Sequence, residues 1–268
     1  MVLSHAVCSV SVAPLRSAPG HREEQVSQLL FGERMELVKT HQDGWIKVVT
    51  EWDNYSGWIH EGQITQIDAK TYRKPLTYIN TGTSDYIAME EGRFLLSPGS
   101  SLLQLQKKNF QWNPALQYLG KKLKLKQATR DADTIKRLAR LFIGSPYQWG
   151  GRSLMGIDCS GFTQIVYKMM DIRLPRDASQ QVAEGNVVDF LQHAQCGDLA
   201  FFDNEEGRIT HVGIMMDNTN ILHATESSGG VVSDIIDPSG IISKKLKKRT
   251  HKLRIIKRII DAPNTNLQ

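Results

Sequence analysis

Alternating apolar and polar residues predict short β-strands near the start of the chain. The segments MELVKT, from Met35, and WIKVVT, from Trp45, each alternate in this way, which is typical of a strand with one buried face. Asp43-Gly44 lies between them and predicts a tight hairpin turn. The run Gly57-Trp58-Ile59 predicts a third short strand. Short strands, glycine turns and aromatic residues together predict a small β-barrel over residues 1–68.

Residues 69–126 repeat this character more weakly. Their short apolar runs are IAME, FLLS, LLQLQ and YLG, interrupted by Gly82, Gly92 and Pro98-Gly99. Glycine and proline at such spacing favour turns between short strands. We therefore predict a second, divergent β-barrel that ends in a linker.

Helical spacing appears from Asp131 onwards. The apolar residues of this segment recur at three- and four-residue intervals: Ile135, Leu138, Ala139 and Phe142. This spacing predicts an amphipathic helix, capped by Asp131 or Asp133 and ended by Gly144.

A second set follows Cys159 with the same spacing: Phe162, Ile165, Val166 and Met169. We therefore expect a helix that begins at or just after Cys159. Beyond Gly197 the segments DLAFF, HVGIMM and NILHAT predict three strands. A helix followed by a sheet predicts an α+β domain over residues 127–268.

Composition narrows the class of protein. The chain has 268 residues, of which 40% are hydrophobic, so it can bury a core. No apolar run approaches the roughly 20 residues that span a bilayer, so no membrane span is expected. The first residues lack the features of a secretory signal, which predicts a cytoplasmic protein, or a periplasmic or secreted one if a leader was removed. Three cysteines fit a reducing compartment, and no CxxC or HExxH spacing occurs, so neither a metal nor another cofactor is predicted.

Much of the formal charge of +5 lies in two basic runs, KKLKLK from Lys121 and KKLKKRTHKLRIIKR from Lys244. A nucleic-acid surface is one interpretation of such runs. No nucleic-acid motif accompanies them, so a basic linker and a basic last strand are favoured. No nucleic-acid partner is therefore expected.

The surroundings of Cys159 favour a nucleophile. A cysteine at a helix N-terminus lies where backbone N–H groups and the helix dipole favour the thiolate, so we expect a lowered thiol pKa. The backbone N–H of Cys159 is a natural donor to an oxyanion. The alternative is a buried cysteine that packs as a small apolar residue. The flanking Asp158, Ser160 and Gly161 argue against a dry core position.

Two histidines can serve this thiol. His211 opens the strand HVGIMM, and His223 lies in NILHAT. A hairpin turn centred near Asn218 makes them diagonal neighbours on one face of the sheet, whereas a slip of one residue would separate them. We expect His211 to accept the thiol proton and His223 to orient it. The remaining histidines are interpreted as ordinary surface or core residues: His5, His21, His41, His60, His193 and His251.

The ordered motifs PYQWGG, GIDCSGF, RDASQQ, GDLAFF, THVGIMM and ILHAT resemble the NlpC/p60 family of cell-wall peptidases. The resemblance covers roughly residue 132 to the C-terminus. It implies a papain-like domain in which Cys159, His211 and His223 are catalytic. It also places Tyr147 near the thiol, where it helps to hold the oxyanion. The basic stretch between Ile236 and Ile255 departs from the family pattern, and we expect it to reshape one rim of the site.

The N-terminal segments LRSAPGHREEQVSQLLFGE, DGWIKV and NYSGWI resemble the first bacterial SH3-like domain of γ-D-glutamyl-diamino-acid endopeptidases. Such enzymes carry two of these domains before the catalytic one, and the first closes one end of the cleft. The resemblance implies that Glu24 and Tyr55 hold the free amine of the substrate's terminal alanine. Asp158, Ser160 and Ser179 are implied as further substrate contacts.

These observations predict a cysteine endopeptidase. Its expected substrate is a peptidoglycan stem peptide, L-Ala-γ-D-Glu-diamino acid, with a free N-terminal L-Ala, cut in cell-wall recycling or degradation. An amidase or acyl transferase with the same triad is an alternative, because papain-like sites support both. An idle wall-binding protein is another, which the intact Cys159, His211 and His223 disfavour. The sequence leaves the diamino acid and the oligomeric state open.

Overall fold

The first unit of the protein is an antiparallel sheet of seven strands. In the computed structural model, which describes residues 2–260, the strands follow one another in chain order: β1 (Ser4–Cys8), β2 (Val12–Arg16), β3 (Gln25–Leu30), β4 (Arg34–Thr40), β5 (Trp45–Thr50), β6 (Ser56–His60) and β7 (Ile64–Ile67). Their order in the sheet is β3-β2-β6-β5-β4-β1-β7. The predicted hairpin is confirmed, since β4 and β5 pair with Met35 opposite Thr50. Asp43 and Gly44 adopt the left-handed backbone that the turn requires.

The middle segment is built from short strands. A four-residue helix, α1 (Ala69–Tyr72), leads into them. The strands are β8 (Tyr78–Asn80), β9 (Tyr86–Met89), β10 (Gly92–Leu95), β11 (Leu105–Gln106), β12 (Asn109–Phe110), β13 (Asn113–Leu119) and β14 (Lys122–Lys124). Five of them form one sheet, in the order β10-β9-β13-β12-β11, while β14 pairs with β8. The description of residues 69–126 as a second SH3-like barrel, and the three domain boundaries, stay predictions.

The third unit begins with the predicted helix, α2 (Ala132–Arg140). The Asp131 side chain caps it by accepting a hydrogen bond from the Thr134 N–H at 2.7 Å. A short hairpin, β15 (Arg152–Ser153) and β16 (Gly156–Ile157), leads to α3 (Cys159–Lys168). The predicted start of this helix at Cys159 is therefore confirmed.

A seven-stranded antiparallel sheet completes this unit, after a short helix α4 (Ala178–Gln181). Its strands are β17 (Asn186–Val188), β18 (Leu199–Asp203), β19 (Ile209–Met215), β20 (Asn220–Thr225), β21 (Gly230–Asp237), β22 (Gly240–Ser243) and β23 (Lys248–Arg258). They lie in the order β17-β23-β18-β19-β20-β21-β22, and β22 also pairs with β23. The helix α3 packs on β19 and β20 in the main core, which contains Phe162, Val166, Val212 and Leu222.

A buried ion cluster joins the first unit to α3. Glu33, only 4% exposed, binds the Arg152 guanidinium through hydrogen bonds of 2.8 and 3.0 Å. It also accepts a hydrogen bond from Lys168, the last residue of α3. Burial opposes ionisation, but Arg152 and Lys168 hold the pKa of Glu33 at about 2. The helix that carries Cys159 is thus fixed to the N-terminal sheet.

The two units also meet beside the nucleophile helix. Gly150 has a positive φ of 73°, and a Cβ there would lie 2.4 Å from the Gln25 carbonyl oxygen. Only glycine allows this approach of the two backbones. The helices described in the structure are all too short or too polar to cross a membrane.

Candidate active site

Cys159 occupies the first position of α3, where the backbone N–H has no partner within the helix. The preceding residue, Asp158, caps the helix through a 2.7 Å hydrogen bond from the Gly161 N–H. It also accepts a 2.8 Å bond from the Gly150 N–H. Cys159 is 8% exposed and packs at the edge of the main hydrophobic core, but it also lines a cavity that a ligand can enter.

The expected lowering of the thiol pKa is not what this site produces. Burial and the Asp158 carboxylate raise the pKa of Cys159 to about 12, against backbone N–H groups of Val212 and Ser160 that lower it. The cause is desolvation, which disfavours the thiolate more than the helix N-terminus favours it. The resting sulfur is therefore a neutral thiol that needs a base during the reaction.

The predicted register of the two histidine strands is confirmed. Ile214 lies opposite Leu222, and Met215 lies opposite Ile221, which centres the turn at Asn218. The two imidazoles consequently face each other across β19 and β20, with His211 Nε2 2.8 Å from His223 Nδ1. Both histidines are buried, at 6% and 0% exposure.

Asp234, on β21, extends this pair to a relay of three side chains. His223 Nε2 lies 3.2 Å from Asp234 Oδ2. Burial opposes ionisation of this carboxylate, but its bonds with His223 and the Lys244 N–H lower its pKa. A carboxylate there requires the proton of His223 on Nε2, so His223 Nδ1 accepts from His211 Nε2–H. This leaves Nδ1 of His211 unprotonated, as a base requires.

Asp234 was not predicted from the sequence, although a usable signal exists. Val232 pairs with His223 across β20 and β21, and Asp234 lies two residues further along. It is therefore the diagonal neighbour of His223, just as His223 is of His211. Locating the second hairpin turn would have revealed it.

His251 was set aside as an ordinary residue, but it lies against the base. Its ring stacks on that of His211, with centroids 4.0 Å apart. Burial and the neighbouring His223 lower the pKa of His251 to about 4, so it is neutral at neutral pH. Burial, His251 and His223 together hold the pKa of His211 well below its usual 6.5. The three imidazoles place possible metal-ligand atoms within 4.8 Å of one another, a cluster that the sequence analysis did not anticipate.

Two cavities lie at these residues, and Cys159 lines the first while His211 lines the second. The first, of about 480 Å³, we call the barrel-side cavity because the N-terminal sheet forms one wall. It brings together six of the residues singled out from the sequence: Glu24, Tyr55, Asp158, Cys159, Ser160 and Ser179. The second, of about 490 Å³, we call the strand-side cavity because β23 borders it, and it contains Tyr147 and His211.

Glu24 reaches the barrel-side cavity from the N-terminal unit. Its Oε1 accepts a 2.8 Å hydrogen bond from the indole Nε1 of Trp149, which is 63% exposed. Tyr55 lines the same cavity and is half-buried. Burial and the Asp177 charge raise the pKa of Tyr55, so its hydroxyl stays protonated.

Asp158 and Ser160 line this cavity but are already engaged. Arg176, fully buried, binds Asp158 at 2.5 and 3.1 Å and donates to the Ser160 hydroxyl at 2.8 Å. Asp158 therefore already has a cationic partner, and its implied role as a substrate contact stays a prediction. Its charge is balanced by Arg176, which the sequence reasoning overlooked within the RDASQQ motif.

Asp177 is the better candidate for a free acid in the barrel-side cavity. It is half-buried, and its side chain makes no hydrogen bond or ion pair with the other residues that the structure describes. Burial raises its pKa, an effect that Arg176 opposes. Ser179 is exposed nearby, and within residues 2–260 its hydroxyl likewise has no partner. Both residues belong to the same RDASQQ motif.

Tyr147 lies on the other side of the reacting pair. Its hydroxyl lines the strand-side cavity and makes no hydrogen bond within the described chain. Burial and the proximity of Cys159 raise its pKa, so it remains a donor throughout the neutral range. Its backbone is fixed by a 3.0 Å hydrogen bond from its N–H to the Gly229 carbonyl.

Known proteins share these features of sequence. The profile of the NlpC/P60 family matches residues 144–253, and that of the bacterial dipeptidyl-peptidase Sh3 domain matches residues 15–64. A gamma-D-glutamyl-L-lysine dipeptidyl-peptidase of Bacillus cereus is 29% identical, over 81% of this chain and 72% of that relative. The protein of the same name from Bacillus subtilis is 29% identical, over 76% of this chain and 74% of its own. The chain thus contains an NlpC/P60 domain, preceded by a bacterial dipeptidyl-peptidase SH3 domain.

The fold of the NlpC/P60 chain agrees with this assignment. A crystal structure of an NlpC/P60 family protein from Bacillus cereus superposes with a TM-score of 0.81 at 22% identity. The match covers 96% of this chain and 100% of that one. The predicted papain-like domain preceded by a bacterial SH3 domain is thus confirmed, and the chain is a hydrolase of the peptidase class.

Proposed function

We propose that this NlpC/P60 peptidase hydrolyses the bond between γ-D-glutamate and a diamino acid in stem peptides with a free N-terminal L-alanine. The observation that carries the proposal is that Glu24, from the N-terminal unit, lines the same cavity as Cys159. A unit that only tethered the enzyme to the wall would have no need of an acid in the catalytic cavity. The names of the Bacillus relatives, gamma-D-glutamyl-L-lysine dipeptidyl-peptidases, support the same bond.

The barrel-side cavity suits the amine end of such a peptide. Glu24 and Asp177 are two carboxylates on its wall, and Asp158 is neutralised by Arg176. An ammonium group would form charge-assisted hydrogen bonds with these two acids, neither of which has an ion-pair partner in the described part of the chain. The Tyr55 hydroxyl is available as a further polar contact, and Ser179 can bind the peptide beyond the alanine. A peptide still linked to glycan through its alanine has no ammonium group to place there.

The relay supplies the first half of the reaction. His211 Nδ1 takes the Cys159 proton as the sulfur attacks the γ-carbonyl carbon of glutamate. The carbonyl oxygen becomes an oxyanion, stabilised by the Cys159 N–H and the Tyr147 hydroxyl. The intermediate collapses, and the diamino acid leaves as an amine with the proton held by His211.

Water completes the cycle. The neutral His211 removes a proton from water, which attacks the thioester carbonyl carbon of the acyl-enzyme. The second oxyanion collapses and releases Ala-γ-Glu as a carboxylic acid, while the proton on His211 returns to the sulfur. The stacked His251 and the His223–Asp234 relay keep the ring of His211 in place during both steps.

The test compares a free peptide, L-Ala-γ-D-Glu-L-Lys, with the same peptide acetylated on its alanine. The wild-type enzyme should cut the free peptide and lose at least about tenfold in kcat/KM on the acetylated one, because a charged hydrogen-bonded contact is removed. Glu24→Gln should lose a similar factor on the free peptide, with little further loss on acetylation.

Glu23→Gln is the matched control. Glu23 is the exposed neighbour of Glu24 and does not line the cavity, so this variant should behave like the wild type. Cys159→Ala provides the inactive background. Equal cleavage of free and acetylated peptides by the wild type would refute the proposed role of the amine end, and cleavage at a different amide bond would refute the proposed reaction.

A further inference from the structure

The strand-side cavity adjoins the barrel-side cavity. Trp149 and Thr210 line both cavities, while Cys159 lines the first and His211 the second. If the proposed function is right, the amine end of the peptide occupies the barrel-side cavity. The residue that leaves with the amine must then extend into the strand-side cavity.

Most of the charge on this cavity is already balanced. Arg249 binds both oxygens of the Asp237 carboxylate, at 2.6 and 2.7 Å. His251, with a pKa lowered to about 4 by burial and the neighbouring His223, is neutral at neutral pH. Neither residue therefore offers a free charge to a ligand.

Two opposite charges remain on the wall. Glu226 follows β20, and Lys248 begins β23. Both are exposed, and neither side chain makes a hydrogen bond or an ion pair within the described part of the chain. The cavity thus presents one free carboxylate and one free ammonium group.

Apolar surface lies on the same walls. The Trp149 ring is 63% exposed, and the Leu246 side chain is 37% exposed. They offer contact to the methylene chain that any diamino acid carries. The cavity therefore combines support for an aliphatic stem with a pair of opposite charges.

A cavity with one free carboxylate and one free ammonium group can distinguish lysine from diaminopimelate, because these two diamino acids differ at the end of the side chain. The side chain of lysine ends in an ammonium group alone, which Glu226 would attract and Lys248 would repel. The side chain of meso-diaminopimelate ends in a carbon that bears both an ammonium group and a carboxylate. We propose that the strand-side cavity binds the leaving diamino acid and selects one with a zwitterionic end, so that diaminopimelate is preferred to lysine.

A competing role for Lys248 is to bind the α-carboxylate of the leaving residue. That group is common to both diamino acids, so such a contact would aid both peptides equally. Lys248 can favour one peptide over the other only if it contacts the end of the diamino acid side chain. The two roles can therefore be separated by comparing the peptides.

The experiment measures kcat/KM on L-Ala-γ-D-Glu-meso-diaminopimelate and L-Ala-γ-D-Glu-L-Lys. The wild type should prefer the diaminopimelate peptide by about three- to fivefold, the range of an exposed ion pair. Lys248→Gln should bring this ratio close to one, whereas Lys252→Gln, an exposed lysine of the same strand outside the cavity, should leave it unchanged. Glu226→Gln should slow both peptides, because both carry the distal ammonium group.

The outcomes distinguish this inference from the proposed function. Equal or faster cleavage of the lysine peptide by the wild type overturns the inference and leaves the proposed function standing. An equal loss on both peptides in Lys248→Gln also overturns it, since that result assigns Lys248 to the α-carboxylate. If neither peptide is cut, the proposed function fails. Calorimetric binding of both peptides to Cys159→Ala then tests selectivity directly, and equal affinities overturn the inference too.

Discussion

The Glu24 carboxylate accepts a 2.8 Å hydrogen bond from the indole nitrogen of Trp149, 125 residues further along the chain. One residue belongs to the SH3 domain and the other to the NlpC/P60 domain, on the segment just before the nucleophile helix. The contact therefore fixes an acid of the first domain beside the catalytic cavity of the last. The N-terminal domain therefore forms part of the wall of the cavity that Cys159 lines, a relationship that neither residue reveals alone.

The resting thiol should be protonated at neutral pH. Burial and Asp158 raise the pKa of Cys159 to about 12, so the thiolate should form only in strongly alkaline solution. The absorbance near 240 nm of wild type minus Cys159→Ser should be flat around pH 7 and rise only well above it. A thiolate band already present at pH 7 would contradict the dominance of burial and restore the lowered pKa expected from the helix N-terminus.

The acid limb of the pH–rate profile should lie below pH 6.5. The base acts in its neutral form, and burial together with His251 and His223 lowers the pKa of His211. Activity should therefore persist as the pH falls through 6.5 and disappear only when it passes the lowered pKa of His211. His251→Gln removes one cause of the shift, so its acid limb should move toward pH 6.5. An unchanged limb in this variant would show that the stacked ring has no electrostatic effect on the base.

Substitutions of His211, His223 and Asp234 should lower the catalytic rate by different amounts. His211→Ala should lower kcat by about three orders of magnitude or more, because it removes the proton acceptor. His223→Ala should cost about ten- to a hundredfold, and His223→Asn less, since an amide can still accept from His211 Nε2–H. Asp234→Ala should resemble His223→Ala, because it frees the His223 tautomer. If Asp234→Ala has the same rate as the wild type, Asp234 is not part of the relay.

Glu33 should hold the two domains together. Removing it leaves Arg152 and Lys168 as buried cations without a counter-charge, which typically costs about 3–5 kcal/mol. Glu33→Gln should therefore lower the free energy of unfolding in urea, and Glu90→Gln, an exposed acid, should not.

The pH dependence of this contribution has a defined sign. The pKa of Glu33 is lowered to about 2 in the folded chain, so its stabilisation is complete above its ordinary pKa of 4.5. It should be lost as the pH falls from there through 2. A difference between wild type and Glu33→Gln that stayed constant over this range would contradict the assignment.

Local patterns determined the elements of the site. Apolar spacing placed a helix start at Cys159, and strand alternation together with a turn near Asn218 set His211 and His223 on one face. These predictions succeeded because helix and hairpin geometry depend on residues close in sequence. The motifs also identified the family, and they contained Arg176, Asp177 and Trp149 without showing what these residues contact. The cytoplasmic location predicted from the N-terminus stays a prediction.

Only the tertiary structure shows which residues surround each group of the site and how these neighbours set its protonation. Nothing near Cys159 in sequence shows how deeply the sulfur is buried, and that desolvation reverses the expected direction of its pKa. Arg176 neutralises Asp158 from 18 residues away, and His251 reaches His211 from another strand. Such contacts depend on how distant segments pack, and the energy of a charge depends on the water and partners that packing leaves around it. The sequence therefore supplied the reacting groups, and the assembled domains set their protonation and their cavities.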